Sequence, residues 1–402
     1  MCSLPFIDQT TTMNNIELFL WILSVTTLVS WLYLWLFRSL FWLANQRLEK
    51  LPADISESIS LPPIIALIPA RNEEDVIANC IGSLLNQDYQ GELSIILIDD
   101  ASNDATVKIA QGAVTQLDGG DKVQIISGKK LPSGWAGKVW ALQQGMSRPV
   151  RTQAKYYLLS DADVYHDPSN ITRLVSKAEK EELDLVSLMV KLQCRSLWDW
   201  LLIPAFIFFF QKLFPFNRVN DPSSRVAAAA GGCMLVRKTA MDRIGQLTSI
   251  KSAIIDDCAL ARKLKDHGPI WLGLSTTTRS IRPYYNLTEI WHMVTRSAYT
   301  QLHHSPVFLL GTIIGMTVVY MAPPLVMGFA FLHDLIFPLL FSGCAWGIMV
   351  YTYRPTLKLY DAKPFYGLLL PVTGLIYLLM TIDSARRFYL NKGGEWKGRV
   401  YN

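Results

Sequence analysis

The feature that most constrains this chain is a pair of strongly apolar ends around a more polar middle. Residues 16–37 contain a single charged side chain, Glu17, and about 20 apolar residues are enough for a helix to cross a bilayer. The next basic residues are Arg38, Arg47 and Lys50, and no Lys or Arg precedes them. Because Lys and Arg collect on the cytosolic side of membrane proteins, we expect an anchor whose N-terminus lies outside and whose following chain is cytosolic.

Three further apolar segments lie near the C-terminus, at about residues 307–331, 335–352 and 365–382. Three crossings after a cytosolic domain would leave the C-terminus outside. The tail, however, carries basic residues that favour the inside, namely Arg386, Arg387, Lys392, Lys397 and Arg399. We therefore expect one of the three segments to be re-entrant or interfacial, and the sequence leaves open which one.

Between about residues 44 and 306 the sequence has the pattern of an α/β domain. Residues 74–87 repeat apolar side chains on one helical face, and a second helix is expected from about Ala105, capped by Asn103 or Asp104. Short apolar runs predict strands at 64–70, 93–100, 122–127, 156–164 and 183–190. Alternating strands and helices imply a mostly parallel sheet covered on both faces. Ligands of such sheets bind beyond the carboxyl ends of the strands.

Charge and cysteine usage exclude several classes of protein. The net charge of +5 and the charged fraction of 18% do not suggest a nucleic-acid partner. The six cysteines are scattered without a CxxC pair, which indicates neither a zinc site nor a disulfide framework. We expect reduced thiols, as in a cytosol-facing protein.

A fifth apolar run, residues 197–214, is nearly long enough to cross a membrane. A single crossing there would put the acidic pairs at 161–163 and 256–257 on opposite sides, which is impossible if the pairs share one site. The run also contains or borders Pro204, Lys212 and Pro215, which do not suit a clean span. We predict a helix lying in the membrane interface, and the alternative is a buried core helix.

Asp161 and Asp163 follow a predicted buried strand with one residue between them. Two carboxylates so close repel each other unless a cation lies between them. Mg²⁺ or Mn²⁺ takes one or two carboxylates and completes its shell with diphosphate oxygens and water, so the pair is a candidate metal site. The alternative is a cap for a helix starting near Pro168, a role that Asp167 could also fill.

Other polar residues follow the predicted strands. Residues 71–73, Arg-Asn-Glu, form a turn against which a nucleotide could lie, and residues 99–100, both Asp, could accept hydrogen bonds from a base or ribose. Lys138 follows Gly134 and Gly137 and could reach a phosphate. For each of them, ordinary surface polarity is the alternative.

A second acidic pair, Asp256 and Asp257, opens a predicted helix. Negative charge in a first helical turn is favoured by the helix dipole, which is a purely structural explanation of the pair. The functional explanation is a general base that accepts the proton of an attacking hydroxyl. Farther on, segment 287–305 is amphipathic and precedes the membrane, and its adjacent His303 and His304 are poorly spaced for a metal.

The order of these motifs resembles family 2 glycosyltransferases of the GT-A fold. The motifs are PARNEE, IDDASNDAT, GKVWAL, SDADV, GGCMLVRK and DDCALARKL, between about residues 60 and 306. One anchor before them and several segments after them is similar to the ceramide glucosyltransferase-like branch. The phrases LLIPAFIFFFQKLFPFNRVND and TRSAYTQL most resemble bacterial hopene-associated glycosyltransferases.

The resemblance implies an architecture. It consists of an N-terminal transmembrane anchor at residues 1–43, a Rossmann-like α/β domain of the GT-A (nucleotide-diphospho-sugar transferase) type at 44–306, and a C-terminal transmembrane region with a basic tail at 307–402. The domain would carry interfacial helices near 197–214 and 287–305.

The resemblance also implies roles for individual residues. Asp161 and Asp163 would form the DxD metal and diphosphate site, with Asp163 as the direct ligand of Mg²⁺ or Mn²⁺. Asp257 would be the base, preceded by Asp256. The donor-binding residues would be Pro69, Ala70, Arg71, Glu73, Asp100 and Lys138, and the acceptor side would include Gly231 and Gly232.

The chain departs from related synthases at one motif. A (Q/R)xxRW sequence is expected before the next membrane span, but residues 301–305 read Gln-Leu-His-His-Ser. This departure argues against processive polymerisation, and Arg296 could supply the missing positive charge near the diphosphate.

Together these features predict a membrane-bound inverting glycosyltransferase that moves a sugar from a nucleotide-sugar donor to a lipid acceptor, with a hopanoid suggested by the resemblance. We expect a multi-pass protein of the bacterial inner membrane with a cytoplasmic catalytic domain. A processive polysaccharide synthase is the alternative enzyme. A non-enzymatic scaffold or nucleotide sensor is the alternative from another class.

Overall fold

The computed structural model describes residues 14–50, 61–149, 153–390, 395–396 and 399–400. Cys2, Lys392 and Lys397 lie outside these ranges. The first half contains α1 (Asn15–Leu36), β1 (Ile64–Ala70), α2 (Ile77–Leu85), β2 (Leu93–Asp99), α3 (Thr106–Gln116), β3 (Val123–Ser127), α4 (Gly137–Met146), β4 (Tyr156–Ser160), β5 (Val164–Tyr165), α5 (Asn170–Lys180) and β6 (Leu185–Lys191). The second half contains α6 (Leu197–Leu213), α7 (Phe216–Val219), β7 (Cys233–Arg237), α8 (Lys238–Arg243), α9 (Asp256–Lys265), β8 (Ile270–Ser280), α10 (Leu287–Thr295), α11 (Ala298–Gln301), α12 (Pro306–Met316), α13 (Ala322–Leu332), α14 (Ile336–Leu359), α15 (Leu370–Tyr389), β9 (Glu395–Trp396) and β10 (Arg399–Val400).

The main sheet has eight strands in the order β3-β2-β1-β4-β7-β6-β8-β5. Four of its seven pairings are parallel, and the three that involve β7 or β5 are antiparallel. The five predicted strands are present. The one predicted at 156–164 is interrupted by residues 161–163, and β7 and β8 were not predicted. The sheet is therefore mixed, with its regular parallel part in the N-terminal half.

Both faces of the sheet are covered, as the alternating pattern predicts. Every residue of β1 is buried, and its side chains alternate between two apolar clusters. Ile65 and Leu67 pack with Val139 of α4 on one face, and Ile64 packs with Ile77 of α2 on the other. A continuous apolar run is what a central strand covered on two sides requires.

Helix α6 joins the α/β domain to the C-terminal helices. Its N-terminus is capped reciprocally: the Asp199 amide donates to Ser196 Oγ at 3.2 Å, and the Ser196 amide donates to the Asp199 carboxylate at 2.8 Å. Ile203 packs with the α/β core, whereas Phe208 packs with the cluster formed by the C-terminal helices. The position of α6 at a membrane surface stays a prediction.

Three helices in the described part of the chain are long and apolar enough to cross a membrane. They are Asn15–Leu36, Pro306–Leu332 and Ile336–Leu359. The third predicted C-terminal segment, 365–382, falls mainly on α15, which is not among them and carries Asp383 near its end. Two crossings after the domain would return the C-terminus to the domain's side, as the basic tail requires.

The second of these helices, Pro306–Leu332, comprises α12 and α13 and continues through the proline pair at residues 323–324. Proline has no N–H, so the helical partner of the carbonyl four residues earlier is lost at Pro323, and that carbonyl belongs to Val319. The helix widens into a π-turn at residues 317–321. The indole Nε1 of Trp31, a fully buried residue of α1, donates to the Val319 carbonyl at 2.7 Å. One hydrogen bond thus satisfies the orphaned carbonyl and fastens α1 to the second helix.

We expect Trp31→Phe to lower stability by about 1–3 kcal/mol, because it leaves a carbonyl unpaired in apolar surroundings. Thermal or denaturant unfolding of the protein in detergent measures the change. The matched control is Trp35→Phe, one turn later on α1, whose indole N–H has no hydrogen-bond partner among the described residues. Equal losses in the two variants would show that ring packing, and not the hydrogen bond, makes the contribution.

Candidate active site

The Asp161–Asp163 turn is held from both sides by backbone hydrogen bonds. The Asp161 amide donates to the Gly232 carbonyl at 3.2 Å, and the Asp163 carbonyl accepts from the Ile281 amide at 2.8 Å. Gly232 precedes β7 and Ile281 follows β8, so residues distant in sequence clamp the turn. Both carboxylates are thereby fixed beyond the carboxyl end of β4, where the sequence predicts a binding site.

A buried polar chain supports this turn from below. The Asn170 side-chain amide lies 3.0 Å from His166 Nδ1, His166 Nε2 lies 2.8 Å from Ser160 Oγ, and that hydroxyl lies 3.1 Å from the Asp161 carbonyl. If the amide of Asn170 donates, each later group donates to the next, and the chain ends on the Asp161 carbonyl. Burial lowers the pKa of His166 to about 3, so the imidazole is neutral.

Lys138, at the start of α4, joins the two acidic pairs. Its Nζ lies 2.6 Å from Asp161 Oδ1, 3.7 Å from Asp256 Oδ2 and 3.5 Å from the Gly231 carbonyl. Burial alone would lower the pKa of Lys138, but the neighbouring carboxylates outweigh it and raise that pKa. Both pairs therefore lie in one site, on the same side of any membrane. Helix α6, which lies between the pairs in sequence, therefore cannot cross the membrane as a single span.

Asp257 lies in the first turn of α9 with both carboxylate oxygens held by backbone amides. Oδ2 accepts from the Gly231 amide at 2.8 Å, and Oδ1 accepts from the Cys258 amide at 2.7 Å. Burial and the charge of Asp256 raise the pKa of Asp257 to about 6, against the opposing effects of Lys138 and the two amides. Such a carboxyl is ionised at neutral pH and is a stronger base than an ordinary aspartate.

Gly231 permits this close arrangement. A Cβ at this position would lie 3.1 Å from Lys138 Nζ and 3.3 Å from Asp257 Oδ2. A Cβ at Gly232 would instead press against Val190, 3.1 Å away. The predicted acceptor-side glycines thus lie beside the acidic pair, and Gly231 contacts both halves of the site.

Arg282 is a site residue that the sequence reasoning missed. Its Nε lies 3.0 Å from Asp163 Oδ2, which also accepts from Ser280 Oγ at 3.1 Å. Its Nη2 forms an ion pair with Glu73. Arg282 follows a strand that was not predicted, and its carboxylate partners are far away in sequence. No local motif therefore indicates that Arg282 belongs to the site.

The predicted nucleotide-side residues meet at the ends of β1 and β2. Pro69 and Ala70 are buried at the end of β1, and the Asp100 amide donates to the Ala70 carbonyl at 2.8 Å. The Arg71 guanidinium donates to the backbone carbonyls of Asp100 and Ala101. The ion pair of Glu73 with Arg282 connects this group to Asp163.

The structure does not bring Arg296 into this cluster. It is exposed at the C-terminal end of α10, where its amide donates to the His292 carbonyl at 3.2 Å. Among the described residues, no ion pair connects it to the acidic pairs. His304, in the place of the missing motif, stacks on Phe388 with ring centroids 4.2 Å apart.

The donor set fits a divalent cation that is shared with a diphosphate. Within the described ranges no group of three or more His, Cys, Asp or Glu side chains could hold a metal alone. Lys138 and Arg282 contact Asp161 Oδ1 and Asp163 Oδ2, and no hydrogen bond to the other oxygen of either carboxylate is found among the described residues. Mg²⁺ and Mn²⁺ commonly take one or two carboxylates together with phosphate oxygens.

Comparison with known proteins matches part of the chain to a family model. Residues 65–245 match the family model described as Glycosyl transferase family 2. An N-acetylglucosaminyltransferase from Rhizobium leguminosarum bv. viciae is 35% identical over 63 residues, 15% of each chain. A beta-monoglucosyldiacylglycerol synthase from Trichormus variabilis is 30% identical over 128 residues, which are 32% of this chain and 26% of the relative. The aligned part is thus well under half of either relative.

A solved structure extends the comparison to most of the chain. A mannosyltransferase from Pyrobaculum calidifontis, in complex with GDP-Man and Mn²⁺, superposes with a TM-score of 0.54 at 13% identity. The superposition covers 91% of this chain and 99% of that one. At this identity the likeness establishes the fold, and it confirms the predicted GT-A class. Residues 65–245 of the chain are thus similar to glycosyltransferase family 2, and the domain that contains them has the GT-A fold.

Proposed function

We propose that the protein is a membrane-bound inverting glycosyltransferase that moves a sugar from a nucleotide-diphosphate sugar to a lipid acceptor. The observation that carries the proposal is Lys138, whose ammonium group contacts both Asp161 and Asp256. A diphosphate-binding pair and a candidate base thus occupy one site. A single displacement needs these two functions on opposite sides of one sugar.

Asp257 is the base in this mechanism. Its carboxylate takes the proton of the acceptor hydroxyl, whose oxygen attacks the anomeric carbon of the donor sugar. The bond from that carbon to the diphosphate breaks, its electron pair leaves with the nucleoside diphosphate, and the configuration inverts. The amides of Gly231 and Cys258 hold the carboxylate in place, so the base is oriented before the acceptor arrives.

Asp161 and Asp163 would hold Mg²⁺ or Mn²⁺ on the donor side. When bound, the metal supplies positive charge to the leaving diphosphate. Support comes from the donor set described above and from the Mn²⁺ in the mannosyltransferase complex. Lys138 adds a protonated amine to the same side of the site. Pro69, Ala70, Arg71, Glu73 and Asp100 would bind the nucleotide.

A lipid acceptor is supported by the contacts between the site and the apolar helices. Tyr284, two residues after Arg282, packs against both the α/β core and the C-terminal helix cluster. Its hydroxyl lies 3.0 Å from Met293 Sδ of α10. A relative with this domain is named for a glucosylated diacylglycerol. A hopanoid alcohol is the narrower acceptor proposal, and Gly231 and Gly232 would face it.

We place the protein in the bacterial inner membrane with the catalytic domain in the cytoplasm. Helices Asn15–Leu36, Pro306–Leu332 and Ile336–Leu359 would be the spans. With α15 on the cytoplasmic surface, the anchor and both later spans agree with the distribution of basic residues.

The proposal is tested with purified protein in lipid nanodiscs. We expect transfer from one nucleotide sugar, in a panel including GDP-mannose, UDP-glucose and UDP-N-acetylglucosamine, to diacylglycerol or a hopanoid alcohol. Mass spectrometry identifies the product, and EDTA should abolish transfer. A polymeric product would support a processive synthase. The absence of both transfer and donor hydrolysis with every donor would contradict the enzymatic proposal. Transfer that persists in EDTA would contradict the metal requirement.

We expect Asp257→Asn to reduce turnover by about 10²- to 10⁴-fold, the usual contribution of a general base, while donor binding persists. The assay measures single-turnover transfer together with the donor dissociation constant. Asp266→Asn, an exposed aspartate at the other end of α9, is the matched control and should be silent. Near-normal turnover of the Asp257 variant would remove this residue from the mechanism.

The pH dependence of kcat/KM should show an acidic limb near pH 6. Protonated Asp257 cannot accept a proton, so the rate falls about tenfold per pH unit below its pKa of about 6. Lys138→Met removes a positive charge that favours the carboxylate, so the limb of the residual activity should move to higher pH. Lys108→Met, an exposed lysine of α3, should leave the limb in place. A limb unmoved by Lys138→Met would show that the two charges are not coupled.

A further inference from the structure

Arg282 neutralises two largely buried carboxylates at once. Its Nε lies 3.0 Å from Asp163 Oδ2 and its Nη2 contacts Glu73. The side chains of Asp163 and Glu73 are only 16% and 10% exposed. An unpaired buried carboxylate is costly and two nearby ones repel each other. Without the guanidinium, these two carboxylates would lose the cation that they share.

The same contact opposes a metal at Asp163. Arg282 is positively charged, because a guanidinium group keeps its proton in proteins. A divalent cation bound to Asp163 would lie next to the guanidinium, and two positive charges in such surroundings repel strongly. The two cations therefore compete for one carboxylate.

The donor diphosphate offers the guanidinium a second partner. Arginine presents its N–H groups in a planar fork that matches phosphate oxygens, often in bidentate fashion. Arg282 is one-third exposed, so it can turn towards the site. Glu73 holds Nη2, which keeps the guanidinium within reach when Nε leaves Asp163.

We propose that Arg282 is an exchangeable counter-ion of the donor site. It pairs with Asp163 before the donor arrives and turns to the donor's diphosphate when the metal occupies Asp161 and Asp163. This inference rests on the proposed function. Its consequence is cooperative binding: the metal alone binds weakly, and metal and nucleotide bind well only together.

Arg282→Gln, which removes the charge and keeps a polar side chain, separates this role from a structural one. Mn²⁺ alone should bind the variant more tightly than wild type, as measured by electron paramagnetic resonance. GDP and, in parallel, UDP in saturating Mn²⁺ should bind more weakly, as measured by calorimetry. We expect opposite changes of about 10- to 100-fold, the contribution of a charge-assisted hydrogen bond.

Arg279→Gln is the matched control. Arg279 lies on β8, three residues before Arg282, and its guanidinium lies over the Tyr165 ring, 5.2 Å from the centroid. Neither dissociation constant should change. If Arg282→Gln does not fold, Arg282→Lys, which keeps the charge without the fork, should weaken GDP or UDP binding and change Mn²⁺ binding less.

The outcomes are distinguishable. Unchanged Mn²⁺ affinity in Arg282→Gln, or a loss of Mn²⁺ and nucleotide affinity together, would overturn the counter-ion role and leave the proposed function standing. A wild-type protein that binds no Mn²⁺ even with GDP or UDP present would contradict the metal-dependent function itself.

Discussion

Five carboxylates converge on one edge of the sheet, and the arrangement of the site depends on how their charge is compensated. Lys138 lies between Asp161 and Asp256, and Arg282 lies between Asp163 and Glu73, while Asp257 is held by backbone amides. Each cation spans groups from different strands and loops. The loops after β1, β4 and β8 and the N-termini of α4 and α9 are therefore connected by ion pairs as well as by apolar packing. Two positive charges do not balance five negative ones, which is why the site suits a further cation.

The parts of this design that are local in sequence could be predicted. Continuous apolar runs indicated β1 and β2, and the pairs 161–163 and 256–257 were recognisable as carboxylates at element ends. Neither β7 nor its antiparallel direction was predicted, because a short apolar run does not distinguish a strand from a buried helix segment or one strand direction from the other. Arg282 could not be predicted either, since its contact with Asp163 spans 119 residues and no spacing rule covers such a distance.

The role of His166 could not be predicted from the sequence either. A histidine three residues after an acidic pair does not indicate a particular role in sequence. Its role comes from burial between Ser160 and Asn170, which depends on the folded sheet. The membrane region was predictable from composition, because long apolar runs determine which helices can span. The sequence left open which C-terminal segment is unsuited to span a membrane. The bounds of α15 and the charges it contains identify segment 365–382.

The backbone of Gly231 has a consequence for how the site can vary. Its N–H donates to the candidate base Asp257, and its carbonyl lies 3.5 Å from the ammonium group of Lys138, which contacts Asp161. The two halves of the site are thus connected through the backbone of one residue. In the proposed mechanism, Gly231 lies between the base and the leaving diphosphate. Acceptors of different bulk would then be accommodated by the side chains around Gly231, because its backbone contacts both halves of the site.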